Sequence, residues 1–178
     1  MMNVCVYGAS SDAIDASYKK AAWELGQKLG EAGFGMVFGG GATGLMGAAA
    51  RGLKSCGGSL IGVAPRFFDR PGVLYDGCDQ MIWTETMRER KQKMEELSEG
   101  FVVLPGGIGT FEEFFEILTL RQLEQHGKPI ILYNINGYYD QICVLLEQAV
   151  KEKFMSERQL ALCSFEDHAD AVVENMSR

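Results

Sequence analysis

Residues 101–113 read Phe-Val-Val-Leu-Pro-Gly-Gly-Ile-Gly-Thr-Phe-Glu-Glu. Phe101–Leu104 is an unbroken apolar run, as in strands buried on both faces of a sheet. Pro105-Gly106-Gly107 then breaks the run, and from Thr110 the apolar residues return at helical spacing. The segment is therefore a strand, a glycine turn and a helix in immediate succession. The same order recurs along the chain. Val4–Tyr7, Met36–Phe38, Leu60–Val63 and Ile130–Tyr133 are further buried-strand runs, with Gln80–Thr84 and Ala161–Ser164 as weaker ones. Ser17–Ala32, Leu45–Cys56, Thr86–Leu97, Thr110–Gln125, Tyr138–Lys153 and Glu166–Met176 are the expected helices. Strands that are apolar throughout and alternate with helices predict an α/β fold, a Rossmann-like open parallel sheet with helices on both faces. In such sheets ligands bind beyond the carboxyl ends of the strands.

The chain has 178 residues, a length suited to one domain spanning residues 1–178. It carries 24 acidic against 17 basic residues, a net charge of −7. That balance argues against general affinity for nucleic acid or an anionic membrane. Five scattered cysteines without a C-x-x-C and two distant histidines make neither a disulfide framework nor a metal site, so no metal is expected. The opening MMNVCVYGASS lacks a signal-like apolar core, and no run approaches the ~18 apolar residues of a membrane span. A soluble, cytoplasmic protein is expected.

Three strand-to-helix turns carry the chemistry. Gly8-Ala9-Ser10-Ser11 follows the first strand; Gly8 allows close approach of a ligand and Ser10 offers a hydroxyl, although taken alone an ordinary β-turn explains it better. Gly39-Gly40-Gly41-Ala42-Thr43-Gly44-Leu45-Met46 contains a literal G-x-G-x-x-G. The acid expected about 20 residues on in a dinucleotide site is missing, as is the Lys-Ser or Lys-Thr of a phosphate-binding P-loop. What remains is a glycine turn at a helix N-terminus, where Gly40, Gly41, Thr43 and Gly44 suit a phosphate or ribose cradle. The third turn, Gly106, Gly107, Ile108, Gly109 and Thr110, offers the same backbone donors and leads to Glu112 and Glu113. Two readings of Glu113 stand. In T-x-x-E it closes a capping box on Thr110; alternatively it is a carboxylate beside a bound sugar.

In Thr86–Leu97, Met87, Met94 and Leu97 form an apolar stripe, and Arg90 and Lys91 fall on it at helical spacing from Met87. A cation on an inward face is costly unless it meets a carboxylate or an anionic ligand. Snorkelling at the stripe's edge is the plainer reading. Two adjacent cations favour ligand or carboxylate contact.

Together GGG-x-x-GLMG, M-x-ERK and PGG-x-GT-x-x-E resemble the LONELY GUY (LOG) family of cytokinin riboside 5′-monophosphate phosphoribohydrolases, once widely labelled lysine decarboxylases. The likeness extends to the opening VCVYGASS, to GVAPRFF, to Gln122-Leu123 with His126 and Lys128-Pro129, and to Asn136-Gly137-Tyr138-Tyr139. It implies catalytic roles for Arg90 and Glu113 and substrate contacts at Lys91, Gly106, Gly107, Gly109, Thr110, Glu112 and Thr119. It also implies a homodimer and hydrolysis of an adenine-type nucleoside 5′-monophosphate without metal or cofactor. Arg90 is then expected to keep Glu113 ionised. The family often has His at Arg88, Trp at Leu120 and Gly at Glu124, the last two bearing on base preference. The alternatives are an AMP nucleosidase-type salvage enzyme, a non-catalytic nucleotide carrier, and a pyridoxal-phosphate decarboxylase needing a Schiff-base lysine, for which Lys91 is the one candidate.

Overall fold

The computed structural model describes residues 2–177, so the two ends of the expected domain, Met1 and Arg178, lie outside the described residues. Seven strands form one sheet: β1 (Asn3–Tyr7), β2 (Gly35–Phe38), β3 (Leu60–Pro65), β4 (Gln80–Thr84), β5 (Gly100–Val103), β6 (Ile130–Tyr133) and β7 (Ser164–Glu166). Their order is β4-β3-β2-β1-β5-β6-β7, every adjacent pair parallel. The central strands β1, β2, β5 and β6 are buried along almost their whole length, which is why their sequences show no alternation.

The helices are α1 (Ala16–Glu31), α2 (Gly44–Ser55), α3 (Met87–Glu96), α4 (Ile108–Gln122), α5 (Asp140–Lys151), α6 (Glu157–Leu160) and α7 (Ala169–Met176). One core layer packs Leu25 and Leu29 of α1, Leu45 and Leu53 of α2 and Val172 of α7 against the sheet. The opposite layer holds Met94 of α3 and Phe114, Ile117 and Leu118 of α4. Helices thus cover both faces, as the strand pattern predicts.

Three expectations are corrected. The strand expected at Ala161–Ser164 lies at Ser164–Glu166, because β7 pairs Ser164 with Ile131 and Glu166 with Tyr133. The final helix consequently begins at Ala169, not Glu166. Residues 157–160 form a helical turn instead, started by a capping box between Ser156 and Gln159. Finally, α4 starts at Ile108 with Gly107 as its N-cap, two residues before Thr110.

The chain leaves β1 toward β2, β3 and β4, then returns to place β5 on the other side of β1. The strand order therefore reverses between β1 and β5. A crevice opens at such a point, outside the carboxyl ends of the strands. There the Ala9 N–H donates to the Pro105 carbonyl at 3.0 Å, joining the turn after β1 to the turn after β5.

Candidate active site

A cleft of about 630 Å³ occupies this crevice. The turn after β1 gives it Gly8 and Ser10, the turn after β2 gives Gly39, Gly41 and Thr43, and α3 gives Arg90. Gly107, Gly109, Thr110 and Glu113 close it from α4. Its volume lies within the ordinary range for small-molecule sites.

Arg90 is the pivot. Thr86 caps α3 by accepting the Glu89 N–H at 3.1 Å, which fixes the helical phase and turns Arg90 toward the sheet. Its Nε donates to the Val63 carbonyl at 3.2 Å, at the end of β3, and its Nη1 donates to Glu113 Oε1 at 2.9 Å. Both side chains are nearly inaccessible, at 6% and 11% exposure. Arg90 thus meets a carboxylate on the inward face and does not snorkel. The first glycine of the second turn belongs to the same arrangement. A Cβ on Gly39 would collide with the Arg90 guanidinium, so only glycine lets the cation lie against this backbone.

The start of α4 separates the two readings of Glu113. With Gly107 at the N-cap and no side chain capping the helix, Thr110 is inside the first turn. Its side chain packs beneath Gly106. The capping box is therefore not formed, and Glu113 points at Arg90. Burial raises the Glu113 carboxyl above its usual range, while the charge and hydrogen bond of Arg90 pull it back. The opposite charge of Arg90 acts on this carboxyl in the expected direction, and desolvation outweighs it.

The two helix N-termini at the cleft differ. At α2, Asp12 Oδ1 accepts the Gly44 N–H at 3.0 Å, and the Ala9 carbonyl accepts the Leu45 N–H at 2.9 Å. Gly44 itself, at φ 64, sits where a Cβ would strike the Ala9 carbonyl. These two donors are spent inside the protein, while Gly41 and Thr43 of the expected phosphate or ribose cradle line the cleft beside Gly39. The Thr43 hydroxyl donates to the Ser10 carbonyl at 2.6 Å. At α4 the first intrahelical bond is Phe111 N–H to the Gly107 carbonyl, at 3.0 Å. The N–H groups of Gly107, Ile108, Gly109 and Thr110 precede it and remain available to an anion.

Gly40, Gly44, Gly106, Ile108, Lys91, Glu112 and Thr119 do not line the cleft. Lys91 pairs with Glu112 and Glu116. Burial works to lower the Lys91 ammonium, but these two carboxylates outweigh it and raise it. Thr119 donates its hydroxyl to the Phe115 carbonyl at 2.7 Å on the exposed side of α4. Sequence reasoning missed a further wall: Phe68, Gly72, Val73 and Leu74, on the loop after β3. That loop is bound to the glycine turn by Ala42 N–H to the Val73 carbonyl at 3.0 Å and Tyr75 N–H to the Gly40 carbonyl at 2.8 Å. The GVAPRFF stretch marks its start. Among the described residues, no group of three or more His, Cys, Asp or Glu is gathered as a metal site would require, and no helix is long and apolar enough to cross a membrane.

Residues 46–176 match the model of a family described as possible lysine decarboxylase. The chain is 40% identical over 153 residues to an Oryza sativa subsp. japonica protein named "Probable cytokinin riboside 5′-monophosphate phosphoribohydrolase", covering 86% of this chain and 62% of that one. A second rice protein, named cytokinin riboside 5′-monophosphate phosphoribohydrolase, is 39% identical over 86% of this chain and 64% of its own length. The chain thus spans less than two thirds of the length of these two relatives. In fold it is similar to the molybdenum cofactor carrier protein of Chlamydomonas reinhardtii, with a TM-score of 0.76 over 99% of this chain and 96% of that one, at 22% identity.

Proposed function

The chain belongs to the family described as possible lysine decarboxylase, which includes the LONELY GUY phosphoribohydrolases, and on that premise we propose that it hydrolyses the N-glycosidic bond of an adenine-type nucleoside 5′-monophosphate. Free base and ribose 5-phosphate are the products, and cytokinin riboside 5′-monophosphates are the leading substrates. The observation that carries this reading is the buried Arg90–Glu113 pair facing the unspent amides of α4 across one cleft.

The phosphate is seated on the N–H groups of Gly107–Thr110, where the helix dipole and the free donors both favour an anion. Anchoring the phosphate holds the ribose against the wall of Gly39, Gly41 and Thr43 and brings C1′ toward Glu113. As the C1′–N bond breaks, its electron pair leaves with the base and positive charge develops on the sugar. The Glu113 carboxylate stabilises that charge and orients the attacking water. One water proton goes to the departing base and the hydroxyl joins C1′. Arg90 holds Glu113 in place and offsets the cost of its charge.

Decarboxylation of lysine through pyridoxal phosphate does not suit these residues. No lysine lines the cleft, and the Lys91 ammonium is engaged by two carboxylates. The proposal includes a cytoplasmic homodimer. Ile108 at 82% exposure and Phe115, two turns along the same face of α4, leave apolar surface at the cleft rim that a second copy would cover. Sedimentation equilibrium tests that component. The function itself is tested by incubating the purified protein with AMP and with isopentenyladenosine 5′-monophosphate and following base release by chromatography. Release from either supports the reading, their ratio gives the base preference, and release from neither overturns it.

A further inference from the structure

The turn between β5 and α4 has its carbonyls accounted for one by one. Leu104 accepts from the Tyr139 hydroxyl at 2.7 Å, Pro105 from the Ala9 N–H at 3.0 Å, Gly106 from the Tyr138 hydroxyl at 2.6 Å, and Gly107 from the Phe111 N–H at 3.0 Å. Four consecutive acceptors are spent, while the donors from Gly107 to Thr110 are left open. Two of the four partners are phenols, and both come from the Asn136-Gly137-Tyr138-Tyr139 stretch, which the proposed mechanism does not use.

That stretch is built to deliver them. Asn136 and Gly137 take φ of 56° and 71°, a left-handed pair that reverses the chain after β6. Asn134 Oδ1 accepts the Tyr139 N–H at 2.7 Å, and Asn136 Nδ2 donates to Ser17 Oγ at 2.9 Å, tying the reversal to α1. The two rings then pack edge to face, 5.1 Å apart, and Tyr18 meets Tyr138 edge to face at 6.2 Å. Pro105-Gly106-Gly107 has no polar side chain with which to hold its own carbonyls. Two glycines in sequence are costly to order, so the order is imposed from β6.

A planar trans peptide points its C=O and its N–H in opposite directions. Holding the Gly106 carbonyl therefore aims the Gly107 N–H. We propose that Tyr138 is a positioning residue for the phosphate seat: its hydroxyl, by fixing the Gly106–Gly107 peptide plane, directs the Gly107 N–H into the cleft, with Tyr139 anchoring the preceding Leu104. The assignment rests on the phosphate being bound at α4, as in the proposed function.

The test is Tyr138→Phe in the full chain, which keeps the ring and its packing and removes one hydroxyl, with Tyr18→Phe as the control that leaves the Gly106 carbonyl untouched. Ribose 5-phosphate and inorganic phosphate serve as probes, followed by titration and by the backbone amide resonances of Gly107–Thr110, alongside kcat and KM for AMP. In Tyr138→Phe the affinity for both probes falls about tenfold, a factor suited to one misaimed charge-assisted hydrogen bond. KM rises by a similar factor while kcat changes less than about threefold, and the Gly107 resonance moves. The control changes none of these. Unaltered probe affinity and an unmoved Gly107 resonance in Tyr138→Phe overturn the proposal, as does equal weakening in Tyr18→Phe, which would make the effect one of packing. If the wild-type protein binds the probes at Gly107–Thr110 but hydrolyses no nucleotide, the hydrolase reading fails while the positioning role is still decided by the probe affinities. If the probes move none of these four amides, the phosphate seat and the role of Tyr138 fall together.

Discussion

Replacing Glu113 by Gln is the sharpest perturbation of the pair. The amide keeps an oxygen for the Arg90 Nη1 donor, now 2.9 Å from Glu113 Oε1, and keeps the side-chain volume, but removes the negative charge. A unit charge about 4 Å from a developing sugar cation, at an effective dielectric of about 20, is worth about 4 kcal/mol. That is about a 10³-fold factor in rate. The loss falls on kcat, because the sugar cation exists only in the transition state. Stability behaves differently. Burial raises the Glu113 carboxyl despite Arg90, so folding already disfavours its charged form and the neutral amide leaves Tm at neutral pH unchanged or slightly higher. Nucleotide binding persists, since the phosphate seat lies on backbone amides. The assay is base release under saturating nucleotide, with nucleotide affinity and thermal unfolding measured on the same preparation. Turnover within tenfold of wild type in a folded variant would refute the role given to Glu113.

Because burial raises the Glu113 carboxyl and the ionised form is the working one, kcat/KM falls as pH drops through a value above the ordinary 4.5, and Glu113→Gln removes this acid limb. The sign for stability is the reverse: a carboxyl raised on folding contributes stability below its unfolded pKa and loses it as pH rises through the folded value, a slope that urea titrations at several pH values detect. Gly39→Ala forces the Arg90 guanidinium aside; activity falls about 10–100-fold while stability falls by about 1–3 kcal/mol, read from kinetics and thermal melts together. Cys56 is exposed, whereas Cys5 is buried with its thiol pushed up to about 12. Iodoacetamide at pH 8 therefore alkylates Cys56 and spares Cys5 until the protein unfolds, as peptide mass mapping would report. Glu124 adopts φ 59 just beyond α4. Glu124→Gly relieves that strain, gaining up to about 1 kcal/mol, without altering the ratio of rates on AMP and isopentenyladenosine 5′-monophosphate.

The central strands are legible because burial on both faces removes alternation. An unbroken run such as Phe101–Leu104 is too apolar for a surface loop and far too short for a membrane span. Arg90 is legible for the opposite reason, as a charge on an otherwise apolar stripe. The start of α4 is not: T-x-x-E matches a capping box, but the backbone of Pro105-Gly106-Gly107, held by Tyr138 and Tyr139, begins the helix two residues earlier. At α2, Asp12 consumes the helix terminus from 32 residues away in sequence, a long-range partner that no local pattern announces. The wall of Phe68, Val73 and Leu74 has no periodicity either; backbone bonds to Gly40 and Ala42 place it. The Glu124 position, linked by resemblance to base preference, is where α4 ends, and its left-handed backbone gives a local reason for glycine there.

The central claim is that this cleft adds water across the glycosidic bond of a 5′-phosphorylated nucleoside. The direct measurement is to run the reaction with AMP or isopentenyladenosine 5′-monophosphate in ¹⁸O-labelled water, quantify both products, and quench fast enough that exchange at C1 does not contribute. The expected result is one free base for each ribose 5-phosphate, the sugar carrying one ¹⁸O from solvent, with no label in the base. Nucleotide bound but recovered intact, or base released without labelled ribose 5-phosphate, would contradict it.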